Sequence, residues 1–561
     1  MLFKKIKLIL IIILAYQTPL YSKSNSFKDF NSKNFSKYFS GIVAFGNKDN
    51  STALEFFDSS KILINKHDPY LKRYINSLIL DNKVSKAIVV VKNNKDKNNT
   101  NFFEAYLLMI LDSLIKNNFE KADFYLNKSI DVSKLDRFNL AILESLKEYI
   151  YVFKEKKIID NKKNLGRFSL ISETFQKCFL GDQDTDKYFS NLINDDEADY
   201  SRYIYFYLSY LIENGRKSET KRIIENIDYL NSTLLLSQGK NWIQNDNSEK
   251  FIEVFSCKNP KDVISEFFFL ISNLYSSQDN FEKSNFYLNL SSFLNPKFLF
   301  NSSLIVENYY FNGEYKKAKK ILKNFKREDN FYYWYRIKKE AQIIAKERNK
   351  KESLNYITSE FKKINNPNNK KLFDIANFYK NSKEYKEAIK YYSKLIVNLD
   401  DNSEVKSDLL YRRGGAYERI KKYEKADSDL LYALKIDPDN AYVLNYLAYS
   451  WLERDYKINE AIKMLEKAYS LKNNDPYIID SIGWAYYLVK DYTKAENFLK
   501  RALEIMPNDP IVNDHYGDIL WKLDRKIQAR YFWGNVLKME DAETDMIKDI
   551  NIKMIKGLNK S

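Results

Sequence analysis

Residues 476–509 read PYIIDSIGWAYYLVKDYTKAENFLKRALEIMPND, and this stretch decides the fold. Within it Gly483, Tyr486, Ala495, Leu499, Ala502 and Pro507 follow one another at intervals of three, nine, four, three and five residues. Gly414, Tyr417, Ala426, Leu430, Ala433 and Pro438 repeat those intervals without change. Between the two sets, Ala448, Trp451, Ala461, Leu465 and Ala468 keep the pattern with one inserted residue. Self-similarity at such a period marks a repeat architecture. A small residue early in the unit lets a first helix approach a second, and the aromatic three positions later fills the space between them. A second small residue sits where the two helices cross, because close packing leaves no room for more. Proline cannot continue a helix, so Pro438 and Pro507 end each hairpin. One hairpin cannot bury its own apolar face, but stacked neighbours can.

Outward from this stretch, repeat starts fall near 265, 299, 334, 369, 407, 441, 476 and 510. Weaker units begin near 34, 68 and 103, carrying Ala53 and Phe57, Ala87 and Val91, then Ala122 and Leu126. Between 137 and 264 the pattern degrades, although Tyr203 to Ile212 and Lys221 to Ile227 still read as paired amphipathic helices. After the last unit, Asp541 to Leu558 is apolar at Met546, Ile547, Ile550, Met554 and Ile555, the pattern of a terminal helix that covers a solenoid end. Asn366, Pro367, Asn368 and Asn369 mark a looser joint and a point of flexion. The expected organisation is therefore 1–22 a signal peptide, 23–136 N-terminal repeats, 137–264 degenerate helical repeats, 265–368 further repeats, 369–540 well-formed repeats, and 541–561 a capping helix and tail.

Composition agrees with an all-α reading. The chain has 561 residues, 44% hydrophobic and 30% charged, so it can bury a core and is neither disordered nor a multi-span membrane protein. With 37 Phe and 44 Tyr against 13 Gly and 9 Pro, long stretches run without the punctuation that short strands need. Lys and Arg number 91 against 75 Asp and Glu, a net charge of +16. That excess is mostly Lys scattered through the chain, with no Arg-rich stripe to track phosphates, so nucleic acid is not expected as a partner. Cys178 and Cys257 form no CxxC pair and no four-ligand zinc site. They are read as two buried free thiols, with a single disulfide as the alternative.

The N-terminus has signal-peptide grammar. Lys4, Lys5 and Lys7 precede an uncharged run from Leu8 to Tyr16 that is too short to span a bilayer, and Gln17, Thr18 and Pro19 break it. Cleavage after Ser22 and a periplasmic location follow as expectations; an uncleaved inner-membrane anchor is the alternative. No cysteine near this point is available for lipid attachment, so membrane association is expected to be peripheral at most.

The spacing of Gly483, Tyr486, Ala495, Ala502 and Pro507 resembles the tetratricopeptide repeat, a helix-turn-helix unit of about 34 residues. The resemblance implies an α-solenoid, a right-handed superhelix of stacked repeats with a C-terminal capping helix, in which positions 2, 5, 9, 12 and 13 of each first helix line the concave side. Counted from 441, 476 and 510, the groove residues are Tyr442, Asn445, Tyr449, Tyr477, Asp480, Trp484, Tyr487, Asp514, Asp518 and Trp521. Aromatic rings there give contact area at low entropic cost and Asn amides can hold a peptide backbone, while the Asp-lined part suits basic or apolar segments. Trp484 and Trp521 read equally well as rings filling space between repeats.

A closer resemblance covers Asn445 to Val536. The strings Leu444 to Tyr449, Asp480 to Tyr486, and Asp514 to Asp518 with Trp521, together with Tyr38 to Gly41 through Ala53, are similar to a group of exported bacterial repeat proteins. Members are often outer-membrane lipoproteins in gammaproteobacteria and signal-bearing proteins in alphaproteobacteria, and one is an adaptor that presents substrates to a periplasmic C-terminal processing protease. The resemblance implies protein partners, among them such a protease, and a scaffold in the cell envelope.

Chemistry-bearing motifs are sparse. Only His67 and His515 exist, so no HExxH is available, and no Gly-x-Ser-x-Gly elbow occurs. Gly41 to Lys48 resembles half of a phosphate loop, but Asn47 stands where the lysine belongs, and Gly41 is better read as the small position of the first repeat. Asp195–Asp196 and Asp400–Asp401 read as solvated turns, and His515 as a packed or hydrogen-bonded ring rather than a base. No cofactor, no metal and no catalysis are expected. The alternative is a repeat-borne enzyme, a glycosyltransferase or hydrolase, with an unrecognised catalytic part in 137–264, which a compact mixed α/β domain there would favour.

Overall fold

The structure is a computed structural model and describes residues 32–558 except 95–97, 161–163, 195–200, 226, 228, 229, 231, 328, 329, 398, 401 and 402. The proposed signal peptide 1–22 and the pair Asp195–Asp196 lie outside the described residues, as does Asp401. Thirty α-helices and two short 3-10 turns make up the described fold, with no strand among them. The chain is an all-α stack of helical hairpins. None of these helices is long and apolar enough to cross a membrane.

The hairpins share local devices. An Asx side chain caps several of the first helices: Asp475 accepts from the amides of Tyr477 and Ile478 at 3.0 and 3.3 Å, and Asp509 from Ile511 and Val512 at 2.9 and 3.1 Å. Pro476 and Pro510 follow those caps in the first turn, where a missing N–H costs nothing. The crossing of the two helices needs small residues. A Cβ at Gly483 would sit 2.8 Å from Leu499 Cγ, one at Gly414 2.9 Å from Leu430 Cγ, and one at Gly517 2.5 Å from the Trp533 ring. On the second helices Ala53, Ala87, Ala122, Ala318, Ala388, Ala426, Ala461, Ala495 and Ala529 have no exposed surface.

One recurrent device left no trace in the residue types. Lys48, Asn82, Asn117, Asp279, Gly313, Lys383, Lys421, Asp455, Lys490 and Asp524 all have positive φ. Each stands at the turn between the two helices of its hairpin, at one offset from the start near 34, 68, 103, 265, 299, 369, 407, 441, 476 or 510. The left-handed conformation ends the first helix whatever the side chain, at a cost of about 1–2 kcal/mol for a residue other than glycine.

The chain divides into two compact units, one running through Glu225 with Thr233–Asn324, the other comprising Asn226–Ser232 with Phe325–Ser561. The N-terminal unit does not stay an open stack. Its helix Phe281–Leu294 returns to pack on Asp68–Leu80, and Asn289 Nδ2 donates to the carbonyls of Ile79 and Leu80 at 2.9 and 3.4 Å. Helix Pro260–Ser276 reaches both Phe103–Ile115 and Arg167–Leu180.

Within 137–264 the helices leave the repeat register. Arg137–Glu155 is a single helix of 19 residues, and Ser201–Glu213 packs on Leu234–Gln244 and Glu249–Val254 rather than only on its neighbour Lys217–Glu225. Rings hold this region: Phe206 lies 4.5 Å from Phe255 and 5.3 Å from Phe175. Arg202 makes a two-pronged pair with Glu266 at 2.8 and 2.6 Å, its guanidinium 3.8 Å from the centre of the Phe269 ring. The described residues of 137–264 contain no strand, so no mixed α/β domain stands there. The expectation of two free thiols is corrected: Cys178 and Cys257 are joined in a disulfide, their Cα atoms 5.8 Å apart. The helix carrying Cys178 and the loop carrying Cys257 are brought together by the Phe175–Phe255 packing, which residue spacing does not reveal.

In the C-terminal unit the hairpins stack in order, each on the next. Its core is continuous through Ala376, Leu409, Leu430, Leu447, Trp451, Leu465 and Ile482. A second cluster around Ile519, Trp533 and Ile550 joins the last hairpin to the helix Thr544–Lys556.

Candidate functional site

The first helices of successive hairpins in the C-terminal unit, Glu404–Arg419, Ala441–Leu452, Pro476–Leu488 and Pro510–Lys522, approach one another more closely than the second helices do. A stack with that asymmetry curves, and the first helices line its inner side. The caps at Asn440, Asp475 and Asp509 start those helices at the same point of each repeat, so the expected groove positions recur at the same helical phase.

The structure sorts the ten expected residues into three groups. Tyr442 and Tyr477 are open, with 48% and 57% of their surface exposed. Asn445, Tyr449, Trp484, Tyr487, Asp514 and Trp521 are half-buried. Asp480 and Asp518 are buried, at 5% and 4% exposure.

The centre of the site is a stack of rings. Trp484 lies face to face with Tyr487 at 4.6 Å on one side and with His515 at 4.2 Å on the other. Its indole N–H donates to Glu453 Oε1 at 3.2 Å. Burial, then the Glu453 carboxylate, raises the Tyr449 phenol well above its ordinary range, so it stays a neutral donor. Lys472 Nζ sits 5.2 Å from the centre of the Tyr442 ring.

Beneath the rings, Asp480 takes the Nδ1 side of His515 at 2.8 and 3.0 Å. Burial pushes the imidazole pKa down, but the Asp480 charge and hydrogen bond, with Asp514 and Asp518 beyond, push it up by more. His515 is thus a packed and hydrogen-bonded ring. Asp518 accepts from the Trp533 indole at 3.0 Å and from Lys553 at 2.8 and 2.9 Å, while Asp514 accepts from the same Lys553 at 2.6 Å. Burial, then the neighbouring Asp514, lifts the Asp518 carboxyl to about 6 despite the lysine. The acidity expected to face a ligand at Asp480 and Asp518 is therefore engaged inside the molecule. Trp521 packs 5.4 Å from Trp533 and against the backbone of Gly557, so it also fills space under the C-terminal helix.

A count that starts at 441 leaves out the preceding repeats. The equivalent positions counted from 369 and 407 include Lys380, Asp408, Tyr411, Glu418 and Arg419. Burial and then the Arg412 guanidinium lower the pKa of the Lys380 ammonium, and Arg412 pairs with Asp408 at 2.9 Å. Toward its first repeats the inner face carries charges of both signs, and toward its last it carries Asp480, Asp514 and Asp518, which His515 and Lys553 engage. Repeat register was the available signal for these residues; nothing in the sequence pointed to Lys553. Among the described residues no group of three or more His, Cys, Asp or Glu converges on a metal-sized site.

Residues 372–396, 407–440 and 478–509 match the tetratricopeptide repeat family, and these segments are such repeats. The chain is 35% identical over 111 residues to the TPR repeat-containing protein PA4667 of Pseudomonas aeruginosa; the match covers 20% of this chain and 19% of that protein's length. Among solved structures, it is similar to a thermophilic TPR protein of Thermus thermophilus, at 15% identity and TM-score 0.30 over 34% of this chain and all of the other. A second similar structure is that of Pseudomonas aeruginosa pilF, at 19% identity and TM-score 0.29 over 34% of this chain and 83% of the other.

Proposed function

We propose that the chain is a non-catalytic adaptor of the bacterial cell envelope, binding partner polypeptides on the inner face of its C-terminal unit. The observation that carries this reading is the aromatic surface of that face. Tyr442 and Tyr477 stand open near the starts of their helices, and Tyr487, Trp484 and His515 form a supported stack further along. Large rings already held in place cost little entropy on binding and are the residues that dominate protein interfaces. The tetratricopeptide repeats at 372–396, 407–440 and 478–509 support a scaffold role.

Location in the envelope is supported by the basic-then-apolar N-terminus and by the Cys178–Cys257 disulfide, a bond that persists in oxidising compartments. A C-terminal processing protease is the partner suggested by the resemblance of Asn445 to Val536 to exported adaptors. The test is in-cell photo-crosslinking from position 442 or 477, followed by capture with the wild type and with a Tyr449→Ala, Trp484→Ala pair. Both proteins should reach the same cell fraction with the same helical content, and the pair should lose at least ten-fold in partner recovery. Unchanged recovery rejects the groove, and recovery with the cytoplasmic fraction rejects the envelope.

A further inference from the structure

The C-terminal helix packs on Lys526–Val536 and carries a charge pair at each end. At its start, Glu543 Oε1 pairs with Lys383 Nζ at 2.9 Å, across 160 residues of chain. The Lys383 hydrogen bond and charge, with Arg419 adding to them, hold the Glu543 carboxyl below its usual range. Ten residues on, Lys553 enters the Asp514–Asp518 pair. At 1.5 Å of rise per residue, the two charged contacts are about 15 Å apart along the helix. At its end, Gly557 takes φ +72° and turns the chain over the Trp521 ring, where any Cβ would collide.

Apolar anchoring of this helix is slight by comparison. Thr544–Lys556 buries only Ile550, whereas Pro476–Leu488 buries Ile478, Ile479, Ile482, Ala485 and others. Ile552 and Ile555 remain 53% and 79% exposed. Beside the helix a cavity of about 510 Å³ opens between Asp514, Met546 and Ile552. Ile550, with Met546, Met554 and Leu558 partly buried around it, joins the helix to the last hairpin, and a terminal helix with one fully buried apolar side chain opens more readily than the helices inside the stack.

We propose that the C-terminal helix is an internal ligand of the groove and that it displays the chemistry of the external one. The partner is a helical segment with an acidic residue near its N-terminal end and a lysine about ten residues later. Its carboxylate replaces Glu543 on Lys383 and Arg419, and its ammonium replaces Lys553 on Asp514 and Asp518. The inference rests on the groove reading above and adds to it the class of partner and the competitor that regulates access. The internal copy sits at a high effective concentration, so the resting protein binds external segments weakly.

The test uses the full chain and a fluorescent synthetic peptide of residues 541–558, read by anisotropy. Wild type should bind it weakly. Lys553→Glu, which expels the internal helix, should bind at least ten-fold tighter, and Glu543→Lys, at an exposed position that leaves the fold untouched, should gain about three-fold. A peptide carrying the Lys553→Glu change should not bind either variant, and Asp514→Asn with Asp518→Asn in the chain should abolish the gain. Equal affinity for wild type and Glu543→Lys overturns the inference, as does equal binding of the charge-reversed peptide. Either result leaves the dependence of partner capture on Trp484 to stand or fall by itself.

Discussion

In the N-terminal unit the helix Phe281–Leu294 returns to Asp68–Leu80 and Asn289 ties the two together through backbone carbonyls. In the C-terminal unit each hairpin meets the next in line, and the inner face keeps Tyr442 and Tyr477 in solvent. Both contain helical hairpins whose first helix is ended by the same left-handed turn. The difference lies in what the inner surface meets. Where the 137–264 helices abandon the register, aromatic and ionic contacts such as Phe206–Phe255 and Arg202–Glu266 draw distant helices together. Where the register holds, curvature is spread over successive repeats and rings such as Tyr442 and Tyr477 stay in solvent.

The largest test of this contrast is at the buried pair. Arg202→Met leaves the Glu266 carboxylate without its partner in a site only 1% exposed, and should cost about 3–5 kcal/mol. Hydrogen exchange should then rise in Pro260–Ser276 and not in Pro476–Leu488; equal protection in both would show that the pair does not hold the closed unit. Gly517→Val drives a side chain into Trp533 and should lower the stability of the C-terminal unit by about 1–3 kcal/mol. Thermal melting followed by tryptophan fluorescence reads this effect.

His515 sharpens the account of the open face. Its folded pKa lies above the ordinary 6.5, so the charged ring adds stability that is fully present below pH 6.5 and is lost as pH rises through the folded value. With only one other histidine in the chain, an NMR titration can follow it directly. Asp480→Asn should move that titration downward, and an unmoved titration would remove Asp480 as the cause. The smallest effect is expected at Lys490, whose φ is 63°. Lys490→Gly should raise stability by about 1 kcal/mol by relieving the left-handed strain, measured as a higher denaturant midpoint. The same change at Lys500, inside the helix Tyr492–Ile505, should do the opposite.

The site was legible in part. Register placed Tyr442, Tyr477, Trp484 and Tyr487 on one face, since helical periodicity alone assigns faces once the starts are known. It did not show that Asp480 belongs to His515, or that Asp518 belongs to Trp533 and Lys553, because those pairings cross from one helix to another. The left-handed turn residues were invisible for a different reason: lysine, asparagine, aspartate and glycine all serve there, so no residue type marks the position.

The residues by themselves determined the helical hairpin, its period and the close crossings at Gly414, Gly483 and Gly517, because these follow from local spacing and side-chain volume. Only the tertiary structure decided that Asn289 meets Ile79, that Cys178 meets Cys257, and that Lys553 meets Asp514. Each of these joins groups that no local interaction brings together. Such contacts depend on small rotations accumulated over several hairpins, and no single repeat encodes that sum.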